Sequence, residues 1–342
     1  MTAGDAFTQA LIRKVDSHRV SEAYADWPRL ARKGYEADVE IPERKYKRVV
    51  VLGMGGSAAG GDILAGWMRS TRRGEMAVCK GYLPFEDLND SLAIACSASG
   101  DTRETVWMMK TAMSRGATMV CISSGGKLKE VAQEEGVPYI DMPTVLKPRY
   151  MLPFIVFSEL AVTRFALRLD CEEEARSALS EMEKTSAAIS PKTPPAENPS
   201  KRLASRLLDK TPSIYAATVT RGAAVRFKNA LNENAKKHAV VDVIPELFHN
   251  EVETWEYTSD FIPFFLRHSG EGRWDKRGAD AMTALLEETG RGPLSVSGTG
   301  DTPLAELISL VYELELVSYY VAIGLGRDPF PTKLLDALKK SN

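Results

Sequence analysis

The chain alternates short apolar, β-branched runs with stretches whose apolar residues recur at helical spacing. Residues 48–53 (RVVVLG) are such a run ending in glycine, the pattern of a strand buried on both faces of a parallel sheet. The same reading predicts a helix over 57–68, strands near 76–79 and 92–96, and a helix over 102–113. It continues with a strand over 118–122, a helix over 127–135, a short strand near Tyr139 and a long apolar helix over 153–169. Strand and helix in strict alternation predict a parallel sheet with helices on both faces.

Residues 181–201 contain Pro191, Pro194, Pro195 and Pro199 among Ser and Ala, cannot be one regular helix, and read as a linker. Alternation then resumes, with strands predicted over 213–218, 240–243, 260–266 and 294–297. Helices are predicted over 221–231, 280–288, 302–324 and 334–340. The expected fold class is α/β: two consecutive domains of similar size, 1–180 and 201–342, each a parallel sheet between helices. This arrangement suggests duplication, although no short-period repeat is visible.

Composition fits that division. A chain of 342 residues, 44% apolar and 26% charged, has the length for two ordinary globular cores. The net charge of −2, from 44 basic and 46 acidic side chains, carries no basic footprint for nucleic acid. Cys79, Cys96, Cys121 and Cys171 lack CxxC spacing, so neither a zinc site nor a redox pair is indicated. Cys96 and Cys121 fall inside strand-like runs and read as buried thiols of a reducing, cytoplasmic compartment. The N-terminal segment has no long apolar stretch, so no signal peptide is expected. The apolar stretch 304–325 carries Glu306, Glu313 and Glu315 and reads as a buried helix, not a membrane span.

Two segments carry candidate chemistry. Gly53-Met54-Gly55-Gly56-Ser57-Ala58 lies between a predicted strand and helix. Glycines there let the backbone approach a ligand, and a helix N-terminus offers free N–H groups and a positive dipole end, so phosphate is the expected guest. The spacing also fits the dinucleotide fingerprint, which wants an acid about 20 residues on; the chain has Lys80 near that place, which counts against NAD. The second segment, Ser97-Ala98-Ser99-Gly100-Asp101-Thr102, again follows a strand. Helix capping by Asp101 or Thr102 accounts for one of these residues. It does not account for three hydroxyls and a glycine at a strand end, where open α/β sheets bind ligands.

The GMGGS and SASGDT pair resembles the sugar isomerase domain, a fold that binds phosphosugars. The second half adds Lys228-Asn-Ala-Leu-Asn-Glu233-Asn-Ala-Lys, Ile244-Pro-Glu-Leu-Phe-His249-Asn and Thr332-Lys-Leu-Leu-Asp-Ala-Leu-Lys339. Together, from about residue 45 to the C-terminus, these resemble the bifunctional phosphoglucose/phosphomannose isomerase family. The resemblance implies interconversion of glucose 6-phosphate, and mannose 6-phosphate, with fructose 6-phosphate through a cis-enediol. The sequence has no HxH, HExxH or clustered Cys/His spacing, so no metal or other cofactor is expected. The resemblance also implies that Gly55, Gly56, Ser57, Ser97, Ser99 and Thr102 hold the phosphate and that Glu233 is the base. It further implies that Arg149 stabilises the enediolate, that His249 opens the sugar ring, and that Lys339 acts near the ring oxygen. Thr332 matches a threonine associated with accepting both C2 epimers. His249 is expected to reach the active site of the partner subunit, so a homodimer is implied.

Each residue also has an ordinary reading: a solvated glutamate at a helix end, a surface arginine beside a Pro-rich turn, a hydrogen-bonded histidine, a lysine favouring a helix C-terminus. The chain departs from the family where Asp101 stands in place of a frequent Asn and Ala98 in place of an occasional aromatic residue. An acid in a phosphate loop repels the ligand unless it points away as a helix cap. Competing readings are a different sugar isomerase domain activity, such as amination of fructose 6-phosphate, a non-catalytic phosphosugar sensor, and a redox enzyme. No glutaminase segment or N-terminal Cys nucleophile supports the first, no basic helix-turn-helix the second, and Lys80 weakens the third.

Overall fold

Among the residues that the computed structural model describes, 7–144, 146–257 and 260–341, two parallel sheets carry the fold. The first six residues of the segment searched for a leader lie outside this set. Two short helices, α1 (Gln9–Val15) and α2 (Val20–Ala25), precede α3 (Trp27–Tyr35). The first sheet follows as β1 (Arg48–Leu52), α4 (Gly56–Thr71), β2 (Glu75–Cys79), β3 (Ser91–Ser97) and α5 (Arg103–Ser114). It is completed by β4 (Thr118–Ser123), α6 (Gly126–Glu134), β5 (Tyr139–Asp141) and α7 (Leu152–Leu167). Its order is β2-β1-β3-β4-β5, every pair parallel, as the alternation predicts.

Helix α8 (Glu172–Ala188) runs into the segment expected as a linker; the proline-rich break occupies 189–198, before α9 (Pro199–Arg206). The second sheet is built from β6 (Thr211–Ala216), α10 (Arg221–Ala230), β7 (Val240–Val243), β8 (Phe261–Arg267), α11 (Arg273–Glu288) and β9 (Leu294–Ser297). Its order is β7-β6-β8-β9, again all parallel. Helices α12 (Pro303–Gly324) and α13 (Lys333–Ser341) follow.

By contact, Asp26–Leu179 form one unit, and residues up to Ala25 group with those from Ser180 onward. This differs from a first domain beginning at residue 1. Within the latter unit, Phe7, Ile12, Val15, Val20 and Tyr24 are buried, and the Tyr319 hydroxyl on α12 donates to Asp16 at 2.9 Å. Partners some 300 positions away leave no trace in a local pattern.

Two helical stretches, Pro148–Leu167 and Pro303–Gly324, are long and apolar enough to cross a membrane, but 78% and 89% of their apolar windows are buried inside the protein. A helix apolar on all sides belongs in a core, and each serves as the core helix of its unit. Close packing of α4 depends on Gly60 and Gly61. A Cβ at Gly61 would lie 2.9 Å from Val51 Cβ on β1, and one at Gly60 would lie 2.4 Å from Glu159 Oε2 on α7. Glycine inside a helix costs about 1 kcal/mol relative to alanine, which this close approach offsets.

Candidate active site

The site grows from the sheet topology of Asp26–Leu179. The chain leaves β1 toward β2 on one side and leaves β3 toward β4 on the other, while β1 and β3 are paired neighbours with Leu52 opposite Ala95. Their C-terminal loops therefore part around a crevice, the place where open α/β sheets bind ligands. The loops that meet there are Gly53–Ser57 and Ser97–Thr102. The Ala98 amide donates to Ser57 Oγ at 3.2 Å, so the two loops are physically joined.

Each hydroxyl in the second loop has a defined place. Ser97 Oγ lies 2.9 Å from Thr102 Oγ1 and accepts from the Gly100 amide at 3.2 Å; Ser99 Oγ accepts from the Asp101 amide at 3.3 Å. Thr102 sits at the N-cap position of α5, yet its side chain makes no capping bond there. The hydroxyl turns to Ser97 instead, so it does not cap the N-terminus of α5, the positive end of that helix's dipole. Gly55 has φ +53, and the helix α4 begins at Gly56 with no side-chain cap.

A third strand-to-helix turn buttresses this cradle. Ser124 Oγ donates to the Ala98 carbonyl at 2.5 Å, and the Leu128 amide donates to the Gly100 carbonyl at 2.9 Å. Gly100, at φ +78, packs so tightly that a Cβ would sit 1.7 Å from the Gly125 carbonyl oxygen. Asp101 Oδ1 accepts from the Lys127 amide at 2.9 Å in the first turn of α6. The acid thus caps the next helix, not its own. Sequence reasoning does not single out the Ser123-Ser124-Gly125-Gly126 turn. Its position directly after a strand is the signal that could have found it.

The ground behind the cradle is electrically quiet. Burial pushes the Cys96 thiol well up, reinforced by Glu159 and Cys121, so it stays neutral. Burial likewise pushes the Glu159 carboxyl well up, helped by Asp62, and neither of its oxygens has a hydrogen-bond partner among the described residues. A neutral acid there does not repel a phosphate. Lys80, just past the end of β2, pairs with Asp62 at 2.5 Å. The acid that a dinucleotide ribose needs at that strand end is thus replaced by a cation.

Arg149 lies in a single 3-10 turn, Pro148–Met151, that packs on α3 and α4. Only 5% of it is exposed, and its guanidinium stands 4.7 Å from the Tyr150 ring centroid.

Glu233, His249, Thr332 and Lys339 belong to the other unit. Glu233 is half-buried on a π-helical turn, Leu231–Ala235, that continues α10 and ends at Lys236 with φ +51. Widened turns of this kind recur at functional sites. Arg327 donates to the Ala235 carbonyl at 2.7 Å and Lys236 Nζ to the Asp328 carbonyl at 2.5 Å, tying this turn to the segment that leads into α13. Thr332 is buried directly before α13, its hydroxyl donating to Asp336 Oδ1 at 3.1 Å. Lys339 is exposed on α13, and His249 is exposed at the end of the 3-10 helix Glu246–His249. Next to Glu233, the buried Asn234 and Arg226 join a polar network with Glu315 that sequence reasoning does not single out.

Comparison with known proteins agrees with this architecture. The profile of the bacterial phospho-glucose isomerase C-terminal SIS domain matches residues 196–341. A solved glucose-6-phosphate isomerase like protein from Thermus thermophilus superposes with a TM-score of 0.63 at 20% identity, covering 98% of this chain and 99% of that one. That likeness concerns the fold. A protein of Aquifex aeolicus named bifunctional phosphoglucose/phosphomannose isomerase is 32% identical over 305 residues, 86% of this chain and 90% of its own. Its namesake from Caldicellulosiruptor bescii is 30% identical over 331 residues, 93% of this chain and 97% of its own. With identity at this level over nearly the full length of both relatives, the chain belongs to the bifunctional phosphoglucose/phosphomannose isomerase family.

Proposed function

We propose that this protein is an aldose–ketose isomerase that interconverts glucose 6-phosphate and mannose 6-phosphate with fructose 6-phosphate. The observation that carries the reading is the bridged pair of strand-end loops, Gly53–Ser57 and Ser97–Thr102, in a chain of this family. Ser57, Ser97, Ser99 and Thr102, with the amides at Gly55 and Gly56, take the phosphate. Glu233 takes the proton from one of the carbons C1 and C2 and returns it to the other, as a carboxylate base at hydrogen-bond reach can. Arg149 supplies fixed positive charge for the enediolate oxygen. His249 opens the ring, reaching the site of the partner subunit of a homodimer. Lys339 assists at the ring oxygen. Thr332 leaves room for rotation about C2–C3, so both epimers pass through one enediol. Such an activity belongs to glycolysis and gluconeogenesis and to the cytoplasm.

The test is direct. Purified protein given fructose 6-phosphate should form glucose 6-phosphate, read by a coupled dehydrogenase, and mannose 6-phosphate, read by chromatography. Product formation only when ammonia is added, or phosphosugar binding without turnover, would replace this reading by amination or sensing.

A further inference from the structure

Arg226 and Glu315 form an ion pair sealed inside the second unit. Their side chains are 2% and 1% exposed, and they meet in a fork: Arg226 Nε donates to Oε1 at 2.5 Å and Nη2 to Oε2 at 3.1 Å. Such a fork fixes the plane of the guanidinium as well as its distance. Tyr24 donates its hydroxyl to Glu315 Oε2 at 2.9 Å. Asn234 Nδ2 donates to that same Tyr24 oxygen at 2.8 Å and to Ser318 Oγ at 2.9 Å, and Ser318 donates to the Glu315 carbonyl at 2.7 Å. The residue next to Glu233 is therefore locked to the residues that hold Arg226.

The network's place along the chain matters. Arg226 stands seven residues before Glu233, on the helix that leads into its turn. The π-helical turn begins between them, at Leu231. Burial opposes the guanidinium charge, but Glu315, and beyond it Glu233 and Tyr24, hold it above its ordinary value. The charges and the hydroxyl that act on it come from three elements: Glu315 from α12, Glu233 from the π turn and Tyr24 from α2. Cohesion alone does not require such a pair, because well-packed apolar residues of similar volume join two helices as firmly.

We propose that Arg226, clamped by Glu315 and joined through Tyr24 to Asn234, is a positioning residue that fixes the π-helical turn and so aims the Glu233 carboxylate for proton abstraction. It acts through Glu233 and not on the sugar. The proposal rests on the assignment of Glu233 as the base, so the experiment separates the two. Three variants are compared with wild type by kcat and KM on fructose 6-phosphate, with thermal unfolding as a control for folding. Glu315→Gln breaks one arm of the fork; kcat should fall about tenfold with KM little changed. Arg226→Met combined with Glu315→Leu removes both charges and keeps the core apolar and folded. Its kcat should fall about tenfold or more with KM little changed. Glu233→Gln should be inactive. A kcat that stays near wild type below the unfolding temperature of each variant would reduce the pair to a structural role and overturn the proposal while leaving the base in place. A Glu233→Gln enzyme with wild-type kcat would overturn both.

Discussion

The Ala98 amide donates to the Ser57 hydroxyl across 3.2 Å, so one hydrogen bond joins the loop after β1 to the loop after β3. The two halves of the proposed phosphate cradle come from segments 41 residues apart and are held in register by this contact. Ser57→Ala should loosen that register and remove a hydroxyl from the phosphate. A hydrogen bond to a charged group is worth about 1.5–3 kcal/mol, so KM for fructose 6-phosphate should rise roughly 10- to 100-fold, with kcat less affected. Steady-state kinetics of the variant checks this.

Asp101 caps α6 through the Lys127 amide. Asparagine can accept the same bond, so Asp101→Asn should leave stability unchanged and KM within about twofold. Asp101→Ala should lose about 1 kcal/mol of stability, the usual worth of a cap, measured by denaturant unfolding. A tenfold drop in KM for Asp101→Asn would show that the acid does face the phosphate.

Glu233→Gln keeps size and hydrogen-bonding reach but removes the proposed base. A general base contributes about 10²–10⁴-fold, so kcat should fall on that scale with KM little changed. The losses should match on glucose and mannose 6-phosphates, because one enediol and one base serve both. Exchange of solvent deuterium into C2 of the product should disappear with turnover.

His249 is exposed in the single chain, and its proposed place is the partner's site. Subunits carrying Glu233→Gln and subunits carrying His249→Ala, each inactive as homodimers, should regain activity when unfolded together and refolded as a mixture. One of the two sites in each mixed dimer would then contain both side chains intact. Light scattering should give a dimer. A mixture that stays inactive while mixed dimers form would place His249 in its own subunit's site.

Glu159 is an acid whose folded-state pKa is raised by burial and by Asp62. Between the ordinary carboxyl range, near 4.3, and that raised value, the folded protein binds a proton that the unfolded chain does not. Stability from this group is therefore greatest at low pH and declines as pH rises through that window, by at most about 1.4 kcal/mol per pH unit. Glu159→Gln should flatten the decline and be the more stable protein near pH 8. Unfolding free energies at pH 5, 6.5 and 8 check the sign.

Much of the sheet architecture is legible in the sequence because its cause is local. The RVVVL run of β1 is buried on both faces, and period and length alone mark it as a strand. Gly53–Ser57 and Ser97–Thr102 are legible as a pair because loops at the ends of parallel strands must open on one edge of the sheet. Three things are not. Helix α8 runs through residues expected to form a linker, because the first proline of that segment is Pro191. Asp101 reads as a possible cap of its own helix, whereas its partner amide, Lys127, is 26 residues away. The π-helical turn at Glu233 follows from no feature of the ten residues before it.

The sequence by itself determined the parallel sheets, the two strand-end loops and the family, because backbone propensity, apolar period and motif spacing act over a few residues. Only the tertiary structure decided that the N-terminal helices group with α12, that Asp101 caps α6, and that Arg226 meets Glu315. Those choices depend on contacts between residues far apart in the chain. Arg226 and Glu315 are 89 positions apart, and a buried charge has no way to announce its counter-charge in the local pattern. The partner is settled when folding brings α10 and α12 together and leaves each charge no water to turn to.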